Sequence, residues 1–177
     1  MKRNARKIFM LIVSFASLFC FIALDYEGRF YGIQSFIFNN NYLPNKNSFE
    51  TDEYEEFRVL DIDGFRIAGP GFRMNGSNNK IMLIEKYAIY DSAIYIQCQT
   101  ENGMTEDYCL NASNNDSIEN KNLFQLIPHK EDLPWRTNLI QKYKHFKVLK
   151  IISLCILTIL IPLYSISKWN KRYRKSM

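Results

Sequence analysis

Two long apolar segments lie at opposite ends of this chain, and each has basic residues on its outer side. The first covers residues 8–24 and carries no charged side chain, and the second covers residues 148–166 and carries one, Lys150. At about 1.5 Å of helical rise per residue, each is close to the roughly 20 residues needed to cross the hydrocarbon core of a membrane. We therefore expect two transmembrane helices, with Lys150 reaching the interface through its long side chain.

Two alternatives to this interpretation remain open. A cleaved signal peptide also has a basic start and an apolar stretch, but residues 21–25 lack a convincing small-x-small cleavage site, which favours an uncleaved anchor. Two buried core helices of a soluble protein would be unusual with such basic flanks and so few polar residues.

The charge distribution predicts the topology. All 18 acidic residues lie within residues 25–146, where 12 Lys and Arg leave a net charge of −6. Lys and Arg concentrate on the cytoplasmic side of membranes, so we expect cytoplasmic tails at residues 1–7 and 167–177 and a periplasmic or extracellular domain at residues 25–146. The basic residues at the two ends also match the anionic headgroups of membrane lipids. Because they account for the overall charge of +5, this charge does not indicate nucleic-acid binding.

The middle of the chain has the strand and turn patterns of a small antiparallel domain. A hairpin is expected at residues 57–68, with a type I′ turn at Asp63–Gly64 that places Leu60 opposite Ile67 and Asp61 opposite Arg66. Further strands are expected at residues 72–74, 80–90, 92–100 and 123–127, with a turn at Asp91–Ser92. The strand at residues 92–100 alternates, which puts Ala93, Tyr95 and Gln97 on one face and Ile94, Ile96 and Cys98 on the other. The predicted fold class is membrane α + β, in which two terminal transmembrane helices flank an antiparallel β-rich extracytoplasmic domain of five to seven strands.

A juxtamembrane helix is predicted at residues 132–146. Asp132 can cap it and Pro134 fits its first turn. It is expected to lie near the membrane or to run into the second span, with Trp135 as an interfacial anchor. The aromatic stretch at residues 26–38 suits either the membrane interface or the domain core, and the sequence favours neither.

Four cysteines are present, two of them inside the apolar segments. Cys98 and Cys109 lie in the domain, where an oxidising compartment would allow a disulfide. A two-residue loop at Gly103–Met104 places them opposite each other, so we predict a bridge between Cys98 and Cys109. Two free buried thiols are the alternative.

The chain offers little evidence for a metal, a cofactor or catalysis. His129 and His145 are far apart in sequence and neither lies near a cysteine. Formal N-glycosylation sequons begin at Asn75, Asn111 and Asn115, but they matter only in a eukaryotic secretory pathway, and the Asn- and Lys-rich loops favour a bacterial source. We expect no cofactor, no metal and no catalytic residue.

An acidic stretch follows the aromatic one, and it suits a basic protein partner. It contains Glu50, Asp52, Glu53, Glu55 and Glu56. The spans lack Asp, Glu, His and Arg, which indicates tethers more than a transport pathway. We predict a non-enzymatic protein-binding role, as an immunity-type protein that neutralises a toxin. The alternatives are an accessory subunit of a secretion, conjugation or division complex, and an envelope hydrolase.

Overall fold

The computed structural model describes the backbone of residues 2–111 and 124–173 and the side chains of residues 8–110 and 124–159. Within these parts, two long helices flank two antiparallel sheets, which confirms the coarse fold prediction. The helices are α1 (Lys2–Gly28) and α2 (Leu139–Tyr173), and the strands are β1 (Ser48–Thr51), β2 (Phe57–Leu60), β3 (Arg66–Ala68), β4 (Ile81–Tyr90), β5 (Ala93–Thr100), β6 (Thr105–Asn111) and β7 (Gln125–Ile127).

Among the described residues, one segment is long and apolar enough to cross a membrane, Ile8–Tyr31, which is mostly α1. Protein leaves many of its large side chains uncovered: Phe9, Phe15 and Phe19 expose 66%, 70% and 76% of their surface, whereas Phe21 and Leu24 nearer the domain are buried. An apolar surface of this kind needs lipid or a partner. The second predicted span, residues 148–166, lies within α2 as unbroken helix, and its membrane crossing stays a prediction.

The predicted helix start at Asp132 is wrong, because α2 begins at Leu139. The intervening chain turns at residues 131–133, and its Arg136 then forms a β-bridge with Tyr87 of β4 through two backbone hydrogen bonds of 2.7 and 3.1 Å. Backbone groups that pair with a strand are not available for helical hydrogen bonds. Trp135 lies in this segment and packs against the outer face of the four-stranded sheet.

The strands form a sheet in the order β1-β2-β3 and a second sheet in the order β4-β5-β6-β7. β4 and β5 join through Asp91 (φ 48°) and Ser92 (φ 58°), the positive φ values of a type I′ hairpin turn. β5 alternates as predicted: Ile94 and Ile96 face the main core, whereas Tyr95 faces the opposite side of the sheet.

The core lies between the two sheets and includes the domain-facing ends of both helices. Phe49, Phe57 and Tyr87 form an aromatic cluster with ring centroids 4.2, 4.9 and 5.7 Å apart. Tyr31, just after α1, and Leu139 of α2 are buried in the same core. The two helices therefore contribute to the packing of the domain as well as tethering it.

The β2–β3 hairpin is present, but its loop is one residue longer than predicted. The Asp61 N–H donates to the Phe65 carbonyl (2.9 Å), which leaves residues 62–64 as a three-residue loop with Gly64 at φ 82°. The Asp61 carboxylate accepts the Phe65 N–H (2.8 Å). The predicted pairing of Asp61 with Arg66 is therefore wrong.

The longer loop changes which residues face each other. Leu60 lies opposite Arg66, not opposite Ile67 as predicted, and a bulge then brings Val59 opposite Ala68. Val59 and Ala68 are fully buried, so the hairpin still presents an apolar face to the core.

The predicted disulfide is also wrong, since Cys98 and Cys109 are free thiols. The β5–β6 loop consists of residues 101–103, and its register places Cys98 opposite Glu106 and Cys109 opposite Tyr95. Facing residues share a side of the sheet and neighbours alternate, so the two cysteines project from opposite faces. Cys98 faces the core, where burial raises the pKa of its thiol well above the ordinary value.

Gly32 connects the end of α1 to the first sheet. Its φ is 79°, and its carbonyl accepts the N–H of Thr51 in β1 (3.1 Å). The Thr51 hydroxyl donates to the neighbouring Tyr31 carbonyl (2.8 Å). A Cβ at position 32 would overlap the backbone nitrogen of Thr51, so this close approach requires glycine.

Gly32→Ala should therefore destabilise the protein far more than Gly64→Ala. The two glycines have φ values of 79° and 82°, so each change adds about 1–2 kcal/mol of left-handed strain. Only at position 32 does the new methyl group meet backbone, because nothing lies within 4 Å of a Cβ at Gly64. Thermal unfolding in detergent measures the difference. Equal losses of thermal stability in the two variants would contradict the close contact between Gly32 and Thr51.

Candidate functional site

The predicted acidic patch lies at the end of β1 and in the turn that follows it. Its members are Glu50, Asp52, Glu53, Glu55 and Glu56. Arg58 forms ion pairs with Asp52 and with Glu56, and Lys144 of α2 pairs with Glu55 (2.7 Å). Three of the five carboxylates thus form ion pairs within the chain, with two basic side chains between them. A role of this patch in partner binding stays a prediction.

A second surface site lies on the outer face of the four-stranded sheet, where an open groove has a volume of about 490 Å³. Strands β4 to β7 and the chain just after β7 supply its lining. We call it the His129 groove, and its lining residues are Lys86, Gln97, Thr105, Glu106, Asp107, Leu126, Ile127 and His129.

A buried carboxylate organises the His129 groove. Asp107 is 4% exposed, and its Oδ1 accepts a hydrogen bond from Nε2 of Gln97 (2.8 Å). Its Oδ2 lies 2.7 Å from Nδ1 of His129. Because a carboxylate oxygen accepts, the hydrogen at this contact is assigned to Nδ1 of His129, which leaves the Nε2 edge of the ring for a ligand. The His129 side chain is half exposed, so a ligand can reach this edge.

The same pair of side chains resembles part of a hydrolytic site. A carboxylate that orients a histidine is two thirds of a catalytic triad, which also needs a nucleophile. Among the described residues that line the groove, the only hydroxyl is that of Thr105, and none is a serine or a cysteine. Lys86 adds a positive charge beside the groove, with its Nζ 4.6 Å from the centre of the Trp135 ring. The groove can therefore form hydrogen bonds and ion pairs with a ligand.

Sequence reasoning missed this site because its members are far apart in the chain. Asp107 precedes His129 by 22 residues, and only the pairing of β6 with β7, which places Asp107 opposite Ile127, brings them together. The one available signal is the alternation of β5, which puts Gln97 on the outer face. That pattern does not say which residue of β6 lies beside Gln97.

A buried ion pair lies where the two helices meet the domain. Asp25, near the end of α1, and Lys150 of α2 lie 2.5 Å apart and are 1% and 5% exposed. Lys150 also donates to the carbonyl of Gln34 (2.9 Å). Its charge is thus met inside the protein, and the expected extension of Lys150 to the membrane interface stays a prediction.

Asp25 also binds the segment that follows α1. Its carboxylate accepts the Ser35 hydroxyl (2.5 Å), the Phe36 N–H (3.1 Å) and the Ile37 N–H (3.0 Å). Together with the ion pair to Lys150, these bonds hold α1, α2 and the segment at residues 34–37 to one another.

Some sequence predictions concern residues outside the described parts. The Asn115 sequon and the Asn111 side chain lie there, as do the side chains of both predicted cytoplasmic tails. Asn75 is described and exposed, next to β7.

Comparisons with known proteins identify no family: no family model, no curated protein and no solved structure matches this chain. The functional interpretation therefore depends on the acidic patch, the His129 groove and the ion pair at the helix junction.

Removing one member of the Asp25–Lys150 pair should destabilise the protein more than replacing both. Lys150→Met leaves a buried carboxylate without its counter-charge, at a cost of about 3–5 kcal/mol. Adding Asp25→Asn should recover part of that loss, because no unpaired charge remains. Thermal unfolding in detergent of the single and double variants measures both effects.

The exposed pair between Lys144 and Glu55 provides a control on the same helix. Its members are 55% and 45% exposed, and Lys144→Met should cost at most about 1 kcal/mol. If Lys150→Met proves no more harmful than Lys144→Met, the buried pair does not stabilise the helix junction.

Proposed function

We propose that this protein is a non-enzymatic, two-pass integral membrane protein whose extracytoplasmic domain binds a protein partner through the His129 groove. As an immunity-type protein of a bacterial inner membrane, it neutralises a toxin that arrives from outside. The main support for this proposal is a preformed hydrogen-bond network. In it, buried Asp107 orients the His129 ring so that one edge of the ring is exposed. Polar groups fixed on strands lose little conformational entropy when they bind.

The position of the groove at a sheet edge supports a protein partner. β7 is an outer strand of the described four-stranded sheet, and its Leu126 and Ile127 line the groove. Edge strands offer backbone groups with which an extended segment of another protein can pair. Ile127 lies opposite Asp107 on the groove face, and this apolar side chain beside the polar network provides the mixture of apolar and polar contacts common in protein interfaces.

The membrane placement is supported by the uncovered apolar surface of α1 and by the basic residues at both ends of the chain. α2 begins in the domain core and continues without a break through the second predicted span. A helix of this kind would hold the groove in a fixed orientation relative to the membrane.

A hydrolase is the second candidate function, and the Asp107–His129 pair favours it. If the purified full-length protein cleaves cell-wall or lipid substrates, and His129→Gln abolishes that cleavage, the non-enzymatic proposal fails. If the protein is instead an accessory subunit, its deletion from cells should disturb secretion, conjugation or division even when no toxin is present.

A photoreactive amino acid at Thr105, an exposed residue that lines the groove on the same face of β6 as Asp107, should crosslink a protein in membranes of the native host. His129→Ala should lower the yield of this adduct by about tenfold, which corresponds to about 1.4 kcal/mol of binding free energy, because the ligand loses its contact with the ring. His145→Ala on the exposed surface of α2 is the matched control and should leave the yield unchanged. Mass spectrometry identifies the adduct.

The same photoreactive group at Tyr54 tests the acidic patch, since this side chain is 78% exposed in the acidic turn. A protein adduct at position 54 and none at position 105 would move the partner from the groove to the acidic patch. An adduct at position 105 that is insensitive to His129→Ala would contradict the role given to the His129 ring.

The proposed topology can be measured with reporter fusions. A reporter that is active only outside the cytoplasm should be active when inserted at Asn114 and silent when fused at Met177, because the charge distribution places the acidic domain outside. The reverse pattern would place the domain in the cytoplasm and exclude a toxin that arrives from outside.

A further inference from the structure

Two large apolar side chains project from the segment that follows α1. Phe36 is 76% exposed and Ile37 is 53% exposed. The segment folds back along α1, so that the Phe36 ring stacks on Phe21 with centroids 6.5 Å apart. Phe21 belongs to the first predicted span, one helical turn before Asp25. Phe36 therefore lies beside the domain-side end of the first predicted span, next to the part of α1 whose apolar side chains, such as Phe19, are exposed.

The backbone N–H groups beside these side chains already have partners. The N–H groups of Phe36 and Ile37 donate to Asp25, and the N–H of Phe38 donates to the Ser35 hydroxyl (2.8 Å). Irregular backbone enters an apolar medium only when the protein satisfies its hydrogen bonds. A segment on a water-facing surface has no such need, because water would serve.

The charge beneath the segment is neutralised as well. Asp25 pairs with Lys150, and the Lys150 ammonium lies 4.4 Å from the centre of the Phe36 ring. Phe36 and Ile37 project outward between the exposed residues Gln34 and Asn39, while the ion pair stays buried behind them.

We propose that Phe36 and Ile37 form a lipid wedge that inserts into the outer leaflet of the membrane beside α1. Its partner is the acyl chains of the lipid, and its apolar surface continues that of α1. The wedge fixes the depth of the domain in the membrane. This inference rests on the membrane placement in the proposed function, and it does not require the proposed protein partner.

A photoreactive phenylalanine analogue tests the wedge in the full-length protein reconstituted into phosphatidylcholine and phosphatidylglycerol vesicles. Three exposed phenylalanines serve as matched positions: Phe15 in α1, Phe36 in the wedge and Phe65 at the tip of the β2–β3 hairpin, at 70%, 76% and 70% exposure. Lipid adducts counted by mass spectrometry should be several-fold more abundant at positions 15 and 36 than at position 65. Ile37 provides a second wedge position.

The outcomes separate the wedge from the membrane placement. Adducts at position 15 together with background yield at positions 36 and 37 would overturn the wedge and leave the membrane placement intact. Background yield at position 15 would overturn the membrane placement, and the wedge with it. A crosslinked dimer in place of lipid at position 36 would show that a second copy covers this surface, which also overturns the wedge.

Discussion

The buried ion pair between Asp25 and Lys150 determines how the helices and the domain meet. Either charge alone would be costly in an apolar environment, so each helix depends on the other at this level. The carboxylate accepts hydrogen bonds from Ser35, Phe36 and Ile37 as well as from Lys150. One side chain of α1 thus positions α2 and the segment that returns along α1.

The position of the helices affects the domain because they share its core. Tyr31 and Leu139 are buried with the aromatic residues of both sheets, and Gly32 brings the end of α1 into backbone contact with β1. A change at the helix junction is therefore expected to disturb the packing beneath both sheets. The four-stranded sheet that carries the His129 groove is supported by the same core.

Local sequence patterns predicted which segments form helices, strands and turns. They predicted less well where these elements begin and which residues they pair with. The alternation of β5 and the Asp91–Ser92 turn were evident from sequence, because both depend on neighbouring residues. The start of α2 was not, since the pairing of Arg136 with Tyr87 competes with helix formation and is a contact between distant residues. The Asp25–Lys150 pair was missed for the same reason, because Lys150 in isolation resembles a residue that extends to the interface.

Errors in loop length have unequal consequences, and this explains both the missing disulfide and the unforeseen groove. At the β2–β3 loop, a bulge absorbs the extra residue and the apolar face is kept. At the β5–β6 loop no bulge intervenes, and the register differs from the predicted one by an odd number of residues, which reverses the face of every side chain in β6 relative to β5. In the predicted register Gln97 faces Leu110, whereas in the structure it faces Asp107. The register that separates Cys98 from Cys109 is therefore the one that places Asp107 beside Gln97 and forms the groove.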